Sequence, residues 1–177
     1  MFLRNFTKFI LGSHTTSVST TYDWAHILRP YDDSELIQVD YNAWNHQYAR
    51  YNFTPFRIDN VVLTDNETTP TYDDICPAVT STNFCIDSTV SEYGITVEQN
   101  FCESSDNGIA LYVRIYCDSA PQTGTAKDLW LCKNLYYNET STSATDIFVY
   151  HALLPEPLTF TSGSAFDYTF VVTLHFY

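Results

Sequence analysis

Acidic residues are the first candidates for chemistry in this sequence, because they occur in two tight clusters. One cluster holds Asp32, Asp33 and Glu35, and the other holds Asp73 and Asp74. A glycosidase needs two carboxyl groups about 5 to 10 Å apart across a cleft, which neighbours on a turn rarely supply. No calcium loop of the D-x-D-x-D-G type is present either. We interpret both clusters as solvated turn carboxylates and keep an enzyme built on Asp32, Asp33 or Glu35 as a third hypothesis.

Histidine and cysteine are the next candidates, and neither type shows the spacing of a metal or nucleophile site. The histidines are scattered, at His14, His26, His46, His151 and His175. The five cysteines are Cys76, Cys85, Cys102, Cys117 and Cys132. An odd count without C-x-x-C argues against zinc and against a complete disulfide framework, although one disulfide such as Cys76 with Cys85 stays open. We expect surface or hydrogen-bonded histidines, small buried cysteines, no metal and no cofactor.

The common catalytic motifs are missing from the sequence. It contains no G-x-S-x-G, no P-loop, no G-x-G-x-x-G and no H-E-x-x-H. Serine hydrolases, nucleotide-binding enzymes and zinc proteases therefore lose their usual signatures, and we predict a protein that is not an enzyme.

Charge and the N-terminal sequence restrict partners and location. The formal net charge is −13, from 21 acidic residues and 8 Lys plus Arg, so phosphate backbones are repelled and nucleic-acid binding is not expected. The N-terminus has a short apolar core, Phe9 to Leu11, without a small-x-small cleavage site. We expect no export and no membrane span, with synthesis in a reducing cytoplasm.

The elements that must position these residues are β-strands. From Phe166 to Phe176 the large side chains fall on every second position, which is typical of a strand with one buried face. The Asp-Asn-Gly at 106–108 predicts a hairpin between "ITVEQNF" and "IALYVRIYCD". Further strands are predicted in "DLWLCKNLYY" and "DIFVYHALL", and one short helix or two strands in the N-terminal third, the helix around Tyr41 to Arg50.

The strand spacing predicts a mainly β fold, an antiparallel sandwich or barrel with at most one or two short helices. The chain is the size of one domain, residues 1–177, and its first fourteen residues are a candidate N-terminal arm because Phe2, Phe6 and Phe9 fall near one helical face.

The order of parts in residues 111–177 carries a resemblance. A strand beginning "LYV" is followed by a polar loop, a Pro-Leu-Thr approach, a turn at Thr161 to Gly163, and a final "YTFVVTL". This order resembles small virion structural proteins of tailed bacteriophages. The resemblance implies a non-enzymatic part of the neck, tail or head-accessory layer, with a mainly β fold, symmetric partners and no catalytic residues.

We therefore predict a virion structural protein that forms homo-oligomers and binds other virion proteins through sheet edges and aromatic contacts. Aromatic side chains are the usual anchors of such interfaces, although each of them could equally be core. The candidate interface residues are Phe2, Phe6, Phe9, Trp24, Trp44, Trp130 and Phe176.

The alternative function is a carbohydrate- or receptor-binding β-sandwich. In that protein, exposed aromatic rings would stack on sugar rings. The candidates are Trp24, Tyr31, Trp44, Tyr48 and Tyr51.

Overall fold

Antiparallel strands make up most of the described chain. A computed structural model describes residues 26–29, 32–38, 58–71, 83–105, 108–136 and 144–175. The strands are β1 His26–Arg29, β2 Asp32–Gln38, β3 Asn60–Thr64, β4 Cys85–Asp87, β5 Thr96–Ser105, β6 Gly108–Cys117, β7 Gly124–Tyr136, β8 Ala144–Phe160 and β9 Phe166–His175. Within these ranges the one helical element is a 3₁₀ turn at Ser91–Tyr93. The prediction of a mainly β fold is confirmed, whereas the arm and the helix around Tyr41 to Arg50 lie outside the described residues.

The strands form two main sheets and one hairpin. The four-stranded sheet has the order β4-β3-β7-β8, and the three-stranded sheet has the order β5-β6-β9. Strands β1 and β2 pair with each other as a separate hairpin. Every pairing is antiparallel.

The two main sheets pack face to face and share one hydrophobic core, which makes the fold a sandwich. Alternation produces this core, because successive strand residues point to opposite faces. In β6, Leu111, Val113 and Ile115 are at most 1% exposed. They belong to the same cluster as Val61 and Leu131 of the four-stranded sheet. Burying each such side chain stabilises the fold by about 1.5 to 3 kcal/mol.

The terminal strand confirms the predicted alternation over its described side chains. In β9, Phe166, Tyr168 and Phe170 pack on the core and Val172 is 2% exposed. The residues between them, from Asp167 to Thr173, are exposed. One face of β9 is therefore buried and the other faces solvent.

The four-stranded sheet is buried on both of its faces. Its second face carries a separate cluster, each member at most 2% exposed: Val62, Cys85, Trp130, Cys132 and Phe148. Polar residues on this face are consequently withdrawn from solvent and need partners within the protein.

The predicted β5–β6 hairpin is confirmed. Its ladder runs from Thr96 opposite Tyr116 to Ser105 opposite Gly108, which leaves a two-residue connection at 106–107. An Asp-Asn-Gly sequence suits such a connection because these residues tolerate positive φ.

Strand β8 is longer than the predicted strand "DIFVYHALL", which ends at Leu154. The strand runs through Pro155 and Pro157 to Phe160. The register jumps from Asp128 opposite Leu153 to Ala126 opposite Leu158, so the prolines lie in a bulge. β8 is the edge of its sheet, and edges and bulges tolerate the missing proline N–H.

The first acidic cluster also corrects a prediction. Asp32, Asp33 and Glu35 lie in strand β2, not in a turn. Asp32 lies opposite Arg29 of β1, and Asp33 and Glu35 lie where the register shifts before Leu36 pairs with Leu28, so a bulge in the strand accommodates them. Asp73 and Asp74 lie outside the described residues.

Two loops are fastened together at one end of the sandwich. The Ala120 N–H donates to the Ser164 carbonyl at 2.9 Å, and the Gly163 N–H donates to the Ala120 carbonyl at 2.9 Å. Gly163 has a φ of 82°, a conformation that glycine adopts without strain. These bonds fix the turn between β8 and β9 and therefore the start of β9.

Candidate functional site

The densest group of polar side chains surrounds Asp128 on the second face of the four-stranded sheet. Asp128 is 0% exposed. Its Oδ1 accepts hydrogen bonds from the Thr64 N–H at 3.0 Å and the Thr64 hydroxyl at 2.6 Å. Its Oδ2 accepts from Trp130 Nε1–H at 2.8 Å and lies 3.2 Å from His151 Nε2. Three strands, β3, β7 and β8, thus converge on one carboxylate.

Strand pairing explains this convergence. Thr64 lies opposite Asp128, and Trp130 lies opposite His151. The indole of Trp130 stacks on the imidazole of His151, with ring centroids 3.7 Å apart and planes 10° apart. His151 is 1% exposed, as the sequence interpretation of a hydrogen-bonded histidine allows.

The Asp128 group stabilises the structure and has no opening to a substrate among the described residues. Both carboxylate oxygens are engaged, and each residue of the group is at most 5% exposed. A buried carboxylate with four polar contacts from three residues is well compensated, whereas the loss of one contact leaves a costly unsatisfied group. We therefore assign the Asp128 group a structural role in the four-stranded sheet.

Cys85 lies near the Asp128 group, and its thiol has low reactivity. It is a buried thiol, as are Cys117 and Cys132. Burial, and then the charges of Asp87 and Asp128, raise the pKa of Cys85 to about 12. Because the thiolate is the reactive form, Cys85 is protected from oxidation and alkylation. The open suggestion of a Cys76–Cys85 disulfide is wrong, since Cys85 is unbridged.

The second candidate site is the solvent-facing side of the three-stranded sheet, which we call the outer face. It contains exposed or half-exposed residues from all three strands. They are Glu98, Tyr112, Arg114, Tyr116, Asp167, Thr169, Val171 and Thr173.

An ion-pair network crosses the outer face. Arg114 Nη2 lies 2.6 Å from Asp167 Oδ2, and Arg114 Nη1 lies 3.1 Å from Glu98 Oε2. The Tyr116 hydroxyl donates to Glu98 Oε1 at 2.9 Å, and the Arg114 guanidinium lies 4.6 Å from the centre of the Tyr116 ring. The bonds to Asp167 and Glu98 raise the pKa of Arg114, and the bond to Arg114 lowers the pKa of Asp167.

The network fixes the outer face because it joins β5, β6 and β9 through one guanidinium. The second bond that Arg114 gives Asp167, from Nε at 2.8 Å, makes this contact bidentate. Bidentate geometry restricts both side chains, so the outer face presents its groups in defined positions.

A shallow hollow of about 520 Å³ lies beside the fastened loops. Its lining includes Tyr93, Asp118 and Pro121. The Cys117 thiol in this wall lies 3.3 Å from the Tyr93 carbonyl and 3.2 Å from the Ser119 carbonyl. The Cys117 thiol therefore contacts backbone carbonyls of the protein itself, and we assign it a structural role in the lining of the hollow.

Among the predicted interface residues, Trp130 is the one whose side chain the structure describes. It is 1% exposed and belongs to the buried cluster on the second face. We therefore assign Trp130 to the core, the alternative that the sequence analysis kept for it. The other six candidates lie outside the described residues: Phe2, Phe6, Phe9, Trp24, Trp44 and Phe176.

Sequence reasoning missed both Asp128 and Arg114. Asp128 precedes "LWLC", and a carboxylate next to an apolar run gives no sign that it is buried. Arg114 does interrupt the strand "LYVRIYC" on the polar face, which was the available signal for a cross-strand ion pair.

The described ranges contain neither a candidate metal cluster nor a helix that could span a membrane. Within them no group of three or more His, Cys, Asp or Glu could hold a metal ion. No helix in the described ranges is long and apolar enough to cross a membrane.

Comparison with protein-family models, with curated proteins and with solved structures finds no match to this chain.

Proposed function

We propose that the protein is a non-enzymatic structural component of a bacteriophage virion that assembles with copies of itself and with other virion proteins. The observation that supports this proposal best is the outer face of the three-stranded sheet. Its groups are held in place by the Glu98–Arg114–Asp167 network, which makes it a pre-organised contact surface.

The composition of the outer face favours a protein partner. Tyr and Arg are enriched at the centres of protein interfaces, and Tyr112, Arg114 and Tyr116 lie side by side in β6. Val171, which lies opposite Tyr112 in the neighbouring strand, is 55% exposed. An exposed β-branched side chain opposite a tyrosine provides the apolar centre that a contact surface needs.

The proposal is tested by solution mass and by particle composition. Size exclusion with light scattering is expected to give the purified full-length protein a mass above 20.3 kDa. Mass spectrometry of gradient-purified particles from a phage that encodes the chain is expected to detect its peptides. A strictly monomeric protein that is also absent from the particles would refute the proposal.

Two single variants connect the outer face to assembly. Tyr112→Ala removes a half-exposed aromatic ring from this face and is expected to lower the oligomeric mass. Glu156→Ala changes an exposed residue of β8, away from this face, and serves as the matched control. Equal oligomeric masses for the two variants would show that assembly uses a different surface.

The predicted N-terminal arm is tested separately, since it lies outside the described residues. Deletion of residues 1–12 is expected to leave a folded protein that assembles poorly. Normal assembly of the deletion variant would remove the arm from the proposal.

The alternative, a carbohydrate- or receptor-binding module, is favoured by Tyr112, a half-exposed aromatic ring on an open sheet face. Binding to a glycan array that disappears in Tyr112→Ala or Trp44→Ala would support this function. The other aromatic candidates lie outside the described residues: Trp24, Tyr31, Tyr48 and Tyr51.

A further inference from the structure

Four described strands form the edges of the two main sheets, and they differ in how they are protected. An exposed edge offers unpaired N–H and C=O groups to another strand, and proteins block this with short strands, prolines, bulges or charges. β4 is three residues long. β8 contains two prolines and a bulge, and β5 contains a bulge between Phe101 and Ser104.

β9 is the least protected of these edges. It pairs with β6 over ten consecutive residue pairs without a register shift, and among the described strands it pairs with β6 alone. Its sequence, FDYTFVVTLH, contains no Pro, Gly, Lys or Arg. A regular ten-residue edge of this kind is a template for strand addition.

The residues on the outer-face side of β9 are arranged symmetrically about Val171. Thr169 and Thr173 lie two positions away on either side, and Asp167 and His175 lie four positions away. Two β9 strands paired antiparallel about Val171 would therefore place valine opposite valine and threonine opposite threonine. The same pairing would place Asp167 opposite position 175 of the second copy.

This register matches residue types better than its neighbour. An axis at Phe170 would place Asp167 opposite Thr173 and Val171 opposite Thr169, so unlike residues would face each other. In the register about Val171, threonine lies opposite threonine and valine opposite valine, and Asp167 lies opposite position 175 and not opposite a second carboxylate.

We propose that β9 is a self-pairing edge through which two copies join antiparallel about a two-fold axis at Val171. The product is a continuous six-stranded sheet with the order β5-β6-β9-β9-β6-β5. This inference rests on the proposed function and specifies one contact of the assembly. A two-fold interface uses the same patch on both copies, as the symmetry of this strand requires.

Single cysteine variants test the register directly. In the proposed pairing the two copies of residue 171 lie directly opposite, with Cα atoms about 4.5 to 5.5 Å apart, within the range of a disulfide. The two copies of residue 169 lie about 14 Å apart along the strands, which no disulfide can span. Val171→Cys is therefore expected to form a covalent dimer under mild oxidation, whereas Thr169→Cys alone is not.

A mixture of Thr169→Cys and Thr173→Cys proteins supplies the matched control. These two residues face each other in the proposed register, so the mixture is expected to give a covalent heterodimer that neither variant gives alone. The wild-type protein, analysed on the same non-reducing gel and by intact mass, measures the background from the native cysteines. A covalent dimer of Thr169→Cys alone would overturn the register.

Charge at the axis gives a second, non-covalent test. Val171→Asp places two carboxylates opposite each other and is expected to weaken dimerisation at least tenfold, measured by analytical ultracentrifugation. Val171→Thr keeps a β-branched side chain and is expected to dimerise like the wild type. Because residue 171 is exposed, both variants are expected to keep the fold of the wild type, measured by circular dichroism.

The outcomes separate this inference from the proposed function. An oligomer whose mass is unchanged by Val171→Asp, with no covalent dimer from Val171→Cys, would overturn the β9 pairing and leave self-assembly in place through another surface. A wild-type protein that is monomeric at every concentration would overturn the β9 pairing, whereas the proposed function would fall only if the protein were also absent from the particles.

Discussion

Replacing Asp128 by Asn is the most informative perturbation of this fold, because it changes charge and hydrogen bonding with almost no change in volume. The amide oxygen can keep the two bonds from Thr64, now without charge assistance. The new NH2 group faces Trp130 Nε1–H, which donated to the carboxylate at 2.8 Å. Two donors then point at each other in a site that is 0% exposed.

The magnitude follows from the contacts. A hydrogen bond to a charged acceptor contributes about 1.5 to 3 kcal/mol, and a buried unsatisfied donor costs about 1 to 3 kcal/mol. Relief from burying a charge offsets part of this loss, and His151 can keep its contact by moving its proton to the other ring nitrogen. We expect Asp128→Asn to lower the free energy of unfolding by on the order of 3 kcal/mol, a large fraction of the about 5 to 15 kcal/mol typical of a domain.

Urea unfolding followed by tryptophan fluorescence measures this loss. Asp118→Asn, an exposed aspartate in the loop after β6, is the matched control and is expected to change stability by less than about 0.5 kcal/mol. A double-mutant cycle with Trp130→Phe isolates the indole contact, since removing the N–H should be less harmful in the Asp128→Asn protein than in the wild type. The expected coupling is about 1 to 2 kcal/mol. A loss for Asp128→Asn as small as that of the control would contradict the reasoning.

Three further predictions concern other parts of the sandwich. Because burial raises the pKa of Cys85 to about 12, well above its usual value of 9.0, its stabilising contribution is complete below pH 9 and is lost as the pH rises toward 12. The difference in unfolding temperature between the wild type and Cys85→Ala should therefore become smaller from pH 9 to pH 12. A difference that stays constant over this pH range would contradict the prediction. Gly124→Ala should lower the free energy of unfolding in urea by about 1 to 3 kcal/mol, because a Cβ at this position would overlap the Phe84 ring. Adding Phe84→Leu should recover part of this loss. A Gly124→Ala protein as stable as the wild type would contradict the described packing. Arg114→Gln should raise the lowered pKa of Asp167 in an NMR titration, since the guanidinium is the main cause of the lowering; an unchanged midpoint would argue against the ion pair.

Strand positions that depend on local pattern were predictable from the sequence. The alternation that starts at Phe166 predicts which face of β9 is buried, and the turn residues before Gly108 predict the β5–β6 hairpin. Each of these two signals is carried by residues that are neighbours in the sequence. Features that depend on distant partners were not. Asp128 is buried because Thr64 and His151 pair beside it, and nothing in its own neighbours in sequence encodes those contacts.

The prolines of β8 show a second limit of local reasoning. Pro155 and Pro157 predict the end of a strand when the position of the strand in its sheet is unknown. Strand order decides the outcome, since an outermost strand has one side on which no N–H is required.

The pairing of β3 with β7 has a consequence for how the chain reaches this structure. Thr64 and Asp128 are 64 residues apart, so β3 gains its central neighbour only after most of the chain is available. Closing a loop of that size is entropically unfavourable before the contacts form, and folds dominated by such contacts reach their native state in milliseconds to seconds. The β5–β6 hairpin lies within that loop and can form first, which shortens the effective distance that β3 must search. During synthesis the β5–β6 hairpin is therefore complete before β7 emerges, and until then β4 is the described strand with which β3 can pair.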